Sequence, residues 1–449
     1  MNGYKFYVLG LMCLFSGMKA IYAQSNKELK YFLSKDSTEF VKLTFVNQTW
    51  LRQTQNNPGS TLNGVATDKS FDIGLRRTRI QLYGKTSKHT FFYLQLGQNN
   101  FNGLSARKSG FFIHDALGEI DVNKHFAMGA GLTAWTGFSR FSSPSVASIM
   151  ALDAPLFLQA TNDANDQFLR KLSVYAKGKI NKLDYRLIIS RPMAFSTSPV
   201  YNAANPLGSD AQFSPLPPKP QYSGYLSWQF FDQESNDLPY QTGTYLGKKR
   251  VLNLGAGAQF QQNAMWYNQM LDSVAVDTLH HDMLLAAVDV FYDAPLRKEK
   301  GDAMSFYAVA AYYDFGKNYI RNQGPMNVTD GMNAHETFSG TGVAWPMIGT
   351  GTSFYAQLGY LSPELSATKK MGKLMPYVSA QWSKYDLAKD VVLYGDAGCS
   401  WYLDGARSKL TFGVQNRPVM KLVTPSDGPH FIQQQSRKNS FILQYQVSI

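Results

Sequence analysis

Residues 438–449 read KNSFILQYQVSI. Phe441, Leu443, Tyr445, Val447 and Ile449 alternate there with Ile442, Gln444, Gln446 and Ser448. Alternation of this length describes an extended strand with one apolar face, because successive side chains leave a strand on opposite sides. The pattern recurs at 78–85, where Ile80 and Leu82 alternate with Arg79, Gln81 and Tyr83. It recurs again at 184–190, where Tyr185, Leu187 and Ile189 alternate with Asp184, Arg186 and Ile188. Helical spacing is nearly absent. Its best instance, 144–160 with Val146, Ile149, Met150 and Leu152, is broken by Pro155.

Outward from these stretches, sixteen strands are expected. They lie near 40–53, 71–86, 88–100, 111–122, 125–137, 168–178, 183–191 and 222–232, then near 248–262, 282–293, 303–315, 352–361, 374–385, 390–403, 408–417 and 438–449. Short connectors fall at 86–88, 123–124, 179–182 and 404–407, and long ones at 54–70, 101–110, 138–167, 192–221, 263–281, 316–351 and 418–437. Alternation of long and short is the connectivity of a transmembrane barrel, with long loops outside and tight turns on the periplasmic side. Two links fit poorly: 386–389 is short where a long one is due, and 233–247 is long where a short one is due. A hairpin at 337–348 is a further strand candidate. The competing reading, a soluble two-domain β protein, does not account for long polar loops gathered on one side.

Composition narrows the class. Only 17% of the 449 residues are charged while 14% are aromatic, which excludes a mostly disordered chain. Two cysteines, Cys13 and Cys399, exclude a disulfide scaffold. Lys5, the apolar run 6–15 and Ala23 read as a secretory signal over 1–23. Cleavage there removes Lys5 and Lys19, so the 44 basic residues fall to 42 against 32 acidic ones, a net +10. Residues 24–38 read as a polar periplasmic extension, and 39–449 as the barrel. Beyond the signal no apolar run approaches the roughly eighteen residues that a membrane helix needs. An exported chain of this kind is soluble or crosses the outer membrane as a barrel.

If the apolar parity faces lipid, the other parity faces the lumen. That places Lys42, Arg52, Arg77, Arg79, Lys85, Lys171, Lys177 and Arg186 inside, with Asp115, Glu119, Asp121, Asp289 and Asp293. A positive excess in a water-filled lumen favours anions. Aromatic clusters at strand ends (Phe91–Tyr93, Phe230 and Phe231, Tyr312 and Tyr313, Trp401 and Tyr402) are expected to form interfacial girdles. An external loop has no need of Leu152, Leu156, Phe157 and Leu158, so 137–167 is expected to fold inward and narrow the pore. Packing of that loop on its neighbours outside is the alternative. Gly255 and Gly257 mark close packing or a bend.

The segments FDIGLRRTRIQLYGK and FFYLQLGQNN within 71–101, and DALGEIDVNKHFAMGAGLTAWTGFSRFSSPS within 111–145, resemble the phosphate-selective porin family of the porin O and P type. The segment YSGYLSWQFFDQESNDLPYQTGTYLGKKRVLNLGAGAQF is similar to members of the broader group. The resemblance covers roughly the first 260 residues. It implies a sixteen-stranded outer-membrane channel passing small anions, a homotrimer, with an inward-folded third external loop. By motif position it places Arg76 and Arg77 at the family's paired arginines and Arg140 at the start of the constriction loop. Ser142, Ser143, Ser145 and Ser148 dominate that loop, with Arg140 its only cation, so phosphate selectivity does not follow.

Other chemistries have little to stand on. His280, His281 and Asp282 form the one compact metal-like cluster, read as a solvated loop. No strand presents Ser and His as a nucleophile and base, and there is no phosphate-binding glycine loop. Cations are spread along the chain, not gathered as nucleic-acid binding requires. The expectation is a diffusive porin with modest anion preference, no cofactor and no nucleic acid. Its partners are outer-membrane lipid, lipopolysaccharide, and small anions or other hydrophilic solutes. A non-conducting barrel serving as a structural or secretion-linked partner is the alternative; Leu117, Trp135 and Ile188 on lumen parity hint at it.

Overall fold

The computed structural model of the chain describes residues 28–135, 137–193, 209–271, 274–333, 336–366 and 371–449. The expected signal, 1–23, lies outside them. Sixteen antiparallel strands close into a barrel. They are β1 Phe40–Gln55, β2 Lys69–Ser87, β3 Thr90–Phe101, β4 Phe112–Asn123, β5 Phe126–Thr133, β6 Lys171–Ile180, β7 Leu183–Arg191 and β8 Gln221–Gln229. The circuit continues through β9 Val251–Leu271, β10 Val274–Arg297, β11 Asp302–Asp314, β12 Gly351–Leu361, β13 Lys373–Tyr385, β14 Val392–Asp404, β15 Ser408–Val423 and β16 Phe431–Ser448. Each strand pairs with the next, and β16 returns to β1 in register from Val46↔Ser448 to Thr54↔Ser440. Closure leaves no strand edge unpaired, which hydrocarbon would not tolerate.

The two parities separate as a membrane barrel requires. On β6, Leu172 and Val174 are each 59% exposed, while Lys171, Ser173, Tyr175 and Lys177 between and beyond them are buried. Leu187, Leu226, Leu254, Val288, Phe354, Val378 and Phe412 continue the exposed apolar band around the outside. An exposed apolar belt of this extent is a surface for lipid, not water.

Three expectations are corrected. Phe91, Tyr93, Tyr313 and Tyr402 point into the barrel and are buried, while Tyr312 of alternate parity faces outward and Phe230 and Phe231, just beyond β8, are both exposed. Most of 263–281 and 418–437 is strand: β9–β10 and β15–β16 are long hairpins, and His280 and His281 sit in β10, where His281 Nε2 lies 2.7 Å from Asp314. The supposed hairpin at 337–348 is instead a short strand Trp345–Gly349 paired with Ile320–Gln323. Within 24–38, Leu29–Phe32 forms a strand that extends the sheet beside the start of β1.

The lumen is divided. Toward β10–β16, inward residues Phe291, Tyr307, Tyr313, Tyr355, Tyr385 and Ile432 form one apolar core with Phe138, Phe141, Phe157 and Leu158. Burying a side chain such as Phe157 contributes about 1.5–3 kcal/mol. Toward β1–β8 the inward residues are mostly polar or charged, with the smaller cluster Phe91, Tyr93, Leu117, Trp135, Tyr175 and Ile188 among them.

Candidate pore and its two inserted segments

Segment 134–170 joins β5 to β6 at the end of the barrel where the long connectors gather. It is built of short 3₁₀ turns at Arg140–Ser142, Val146–Ser148 and Leu156–Leu158, which Pro144 and Pro155 keep from lengthening. Its side chains and carbonyls meet inward residues from across the barrel. Gln48 Nε2 donates to Val146 O at 3.2 Å, Gln446 Nε2 to Ala147 O at 2.9 Å, Lys409 Nζ to Ile149 O at 2.7 Å and Ser400 Oγ to Met150 O at 3.0 Å. On the apolar side Phe141 lies 4.4 Å from the Tyr307 ring centre and Tyr313 donates to Phe157 O at 3.0 Å. Glycine makes room for it: a Cβ on Gly257 would sit 2.3 Å from Phe138 O, and one on Gly413 2.4 Å from Leu152.

A second segment, 230–250, joins β8 to β9 at the opposite, tight-turn end. It contains 233–247, one of the two misfit links of the connector pattern, and it is long because it enters the lumen. Ser145 N donates to Gln241 O at 2.8 Å and Gln241 N donates to Ser143 O at 2.8 Å, so the two segments join by main chain. Arg140 Nη1 and Nη2 each donate to Glu234 at 2.7 Å, and Nη2 also reaches Thr242 O at 2.7 Å. Burial works against the Glu234 charge, but the facing Arg140 guanidinium and the Tyr245 hydroxyl hold its carboxyl below the usual range. Arg140 is stacked 3.6 Å from the centre of Phe291 and is 1% exposed. It therefore clamps the two segments together and does not line open space.

The other expected pore cations are mostly paired. Arg76 lies 2.6 Å from Asp153, and Arg77 meets the same carboxylate. Asp153 is buried, which favours its neutral form, yet the two guanidinium groups keep its carboxyl below the ordinary range. Lys42 meets Glu28 at 3.0 Å, Lys85 meets Asp121 at 2.7 Å, Lys171 meets Asp166 at 3.0 Å and Lys177 meets Glu119 at 2.9 Å. Arg186 lies 3.2 Å from Asp184 and 4.5 Å over the Trp135 ring. Asp289 and Asp293 serve the segments: Asp289 accepts from Arg140 N at 2.8 Å and Asp293 from Thr244 Oγ1 at 2.8 Å. Arg79 differs. It makes no ion pair among the described residues, and its five N–H donors meet three acceptors there, Thr78 O, Gln98 O and Asn99 Oδ1.

Open space survives on the polar side. A cavity of about 170 Å³ toward the loop end is lined by Arg76, Arg77, Arg79, Asn99, Asp163, Arg170 and Gln323, among others. A second, of about 340 Å³, lies toward the turn end beside Gln81, Tyr83, Gln95, Asp237, Tyr245 and Lys249. Arg170 lies 3.4 Å from Asp115. Around the first cavity four guanidinium groups, on Arg76, Arg77, Arg79 and Arg170, thus meet three carboxylates, on Asp153, Asp115 and Asp163. Arg170, Asp153, Glu234 and Tyr240 escape sequence reasoning, because each sits at a strand end or in a connector where parity assigns no direction. The length of 233–247 was the one available signal.

No family model matches the sequence, and no curated protein is similar enough to match it. Among solved structures the chain is similar to OmpF of Salmonella typhi, with 10% identity over 93% of this chain and 99% of that one, at a TM-score of 0.47. It is similar to the outer membrane channel DcaP of Acinetobacter baumannii, with 12% identity over 93% and 99%, at 0.46. It is similar also to OmpT of Vibrio cholerae, with 8% identity over 93% and 100%, at 0.45. These likenesses add nothing to the barrel already described.

Proposed function

We propose that this chain is an outer-membrane porin through which small hydrophilic solutes diffuse, with a modest preference for anions. The carrying observation is Arg79, an inward guanidinium with no ion-pair partner among the described residues, facing both cavities of the polar half. Pairing neutralises most other inward cations, so the net field is small and positive, and the preference it gives is modest. Segment 134–170 is read as the inward-folded third external loop that narrows the passage, and 24–38 as a periplasmic extension after a cleaved signal. A homotrimer is the expected assembly, held in outer-membrane lipid and lipopolysaccharide. Serine in place of further cations along 142–148 argues against dedicated phosphate selectivity.

The test is reversal potential across a planar bilayer under a KCl gradient. The parent should reverse on the anion side, and Arg79→Gln should move it toward cations. Open steps with cation selectivity would sink the anion preference while keeping the porin. A second reading has one observation in its favour: the apolar core that fills the β10–β16 side of the lumen. On that reading the barrel is a non-conducting structural or secretion-linked partner, and a folded barrel that passes no current would establish it over the first.

A further inference from the structure

The two cavities of the polar half share a boundary. Arg79, Pro144, Val146, Arg170 and Tyr240 line both. The cavities are stacked along the barrel axis. The first touches Asn99, Asn100 and the 323–325 stretch, near the loop end, and the second touches Tyr83, Ser235 and Lys249, near the turn end. A solute crossing the polar half passes this ring of five residues. Four of them, Arg79, Arg170, Pro144 and Val146, come from the wall or its immediate continuation and from segment 134–170. The remaining one, Tyr240, is carried in from the opposite end by 230–250.

We propose that Tyr240 is the size-determining residue of the passage, closing the narrowest ring from the periplasmic side against Arg79, Arg170, Pro144 and Val146. This inference rests on the porin reading. The ring is held, not mobile. The Tyr240 hydroxyl donates to the Asp115 carboxylate and accepts from Arg170 Nη2 at 2.8 Å and Gln95 Nε2 at 3.0 Å. Its aromatic face packs edge-on to Tyr93 at 6.0 Å, with Leu238 beside the same cluster. The main chain one residue later is bonded to segment 134–170 through Gln241. The constriction is therefore built from both ends of the barrel, and its two halves are joined at 143–145 and 241. A neutral phenol beside the Arg170 guanidinium, in the same ring as Arg79, adds bulk without adding negative charge, so Tyr240 limits size while Arg79 sets the sign of the preferred ion. The two properties are separable.

The experiment compares single-channel conductance and uptake of graded uncharged sugars into liposomes for the parent, Tyr240→Ala and Tyr240→Phe, each checked as a folded barrel by heat-modifiable gel mobility. Tyr240→Ala should raise conductance about twofold and admit larger sugars, because a side chain is removed at the narrowest ring. Tyr240→Phe keeps the ring and should retain the parent's size limit. Should Tyr240→Ala disturb the 230–250 segment itself, Tyr240→Cys gives a second measure: a bulky thiol reagent should block its current and leave the parent's unaffected. A parent that conducts, with Tyr240→Ala at the same conductance and Tyr240→Cys insensitive to reagent, overturns the inference and leaves the porin reading standing. A silent parent opened by Tyr240→Ala supports the inference in stronger form. Silence in the parent and both variants overturns the inference and the porin reading together.

Discussion

Arg140 and Glu234 exchange two hydrogen bonds of 2.7 Å where water does not reach. Removing one partner leaves a buried charge without its counterion, so Arg140→Gln should cost about 3–5 kcal/mol. The expected result is a marked fall in the temperature at which the folded gel band is lost; an unchanged temperature would deny the clamp. The lowered Glu234 carboxyl fixes the sign: its contribution is complete above the ordinary carboxylate range and disappears as pH falls through the lowered value. Asp163 has the opposite sign. Burial and then the Asp166 charge push its carboxyl up to about 6, against the weaker pull of Arg321 and Arg170. Folded chains therefore hold a proton that unfolded chains have released, and this contribution is lost as pH rises through that value. Asp163 lines the loop-end cavity, so its protonation makes that cavity more positive. Reversal potential should move toward the anion side between about pH 7 and pH 5, and Asp163→Asn should flatten that step. At this scale the sequence reveals Arg79, whose parity in 78–85 is unambiguous, but not Glu234, which belongs to a connector.

All sixteen strands were legible because lipid on one side and packed or wet lumen on the other impose strict alternation. The errors fall where alternation slips. A register shift lies between Gln261 and Met265, with Asn263 at φ 51°, and it hides the outer half of β9. Another lies between Val419 and Met420 just after Pro418, and it hides the end of β15. Across the first slip β9 carries two more residues than β10, and across the second β16 carries one more than β15, so strict alternation breaks and the strand reads as loop. The seating of 134–170 is equally a matter of backbone, since Gly257 lets Phe138 approach β9. Gly257→Val should unseat that segment while the barrel persists. Limited proteolysis should then cut within 134–170 with heat-modifiability retained, and continued resistance would show that the close approach is dispensable.

The outer belt governs the whole molecule's solvent. Leu187 is 55% exposed at the middle of β7, so Leu187→Arg should weaken bilayer insertion by about 2–4 kcal/mol. Insertion into vesicles as efficient as the parent's would count against lipid contact there. What the outline of a barrel cannot disclose is the fate of its interior, because connectors that fold inward carry no period. The seam between β1 and β16 shows what that interior does for the rest. Gln48 and Gln446 bond each other across the seam at 2.9 Å, and they bond consecutive carbonyls of 134–170, Val146 O and Ala147 O. First and last strands are thus laced to a stretch from the middle of the chain. Closing the cylinder and seating its contents are thus one event in energy: whatever loosens that stretch also loosens the lock between the chain's two ends.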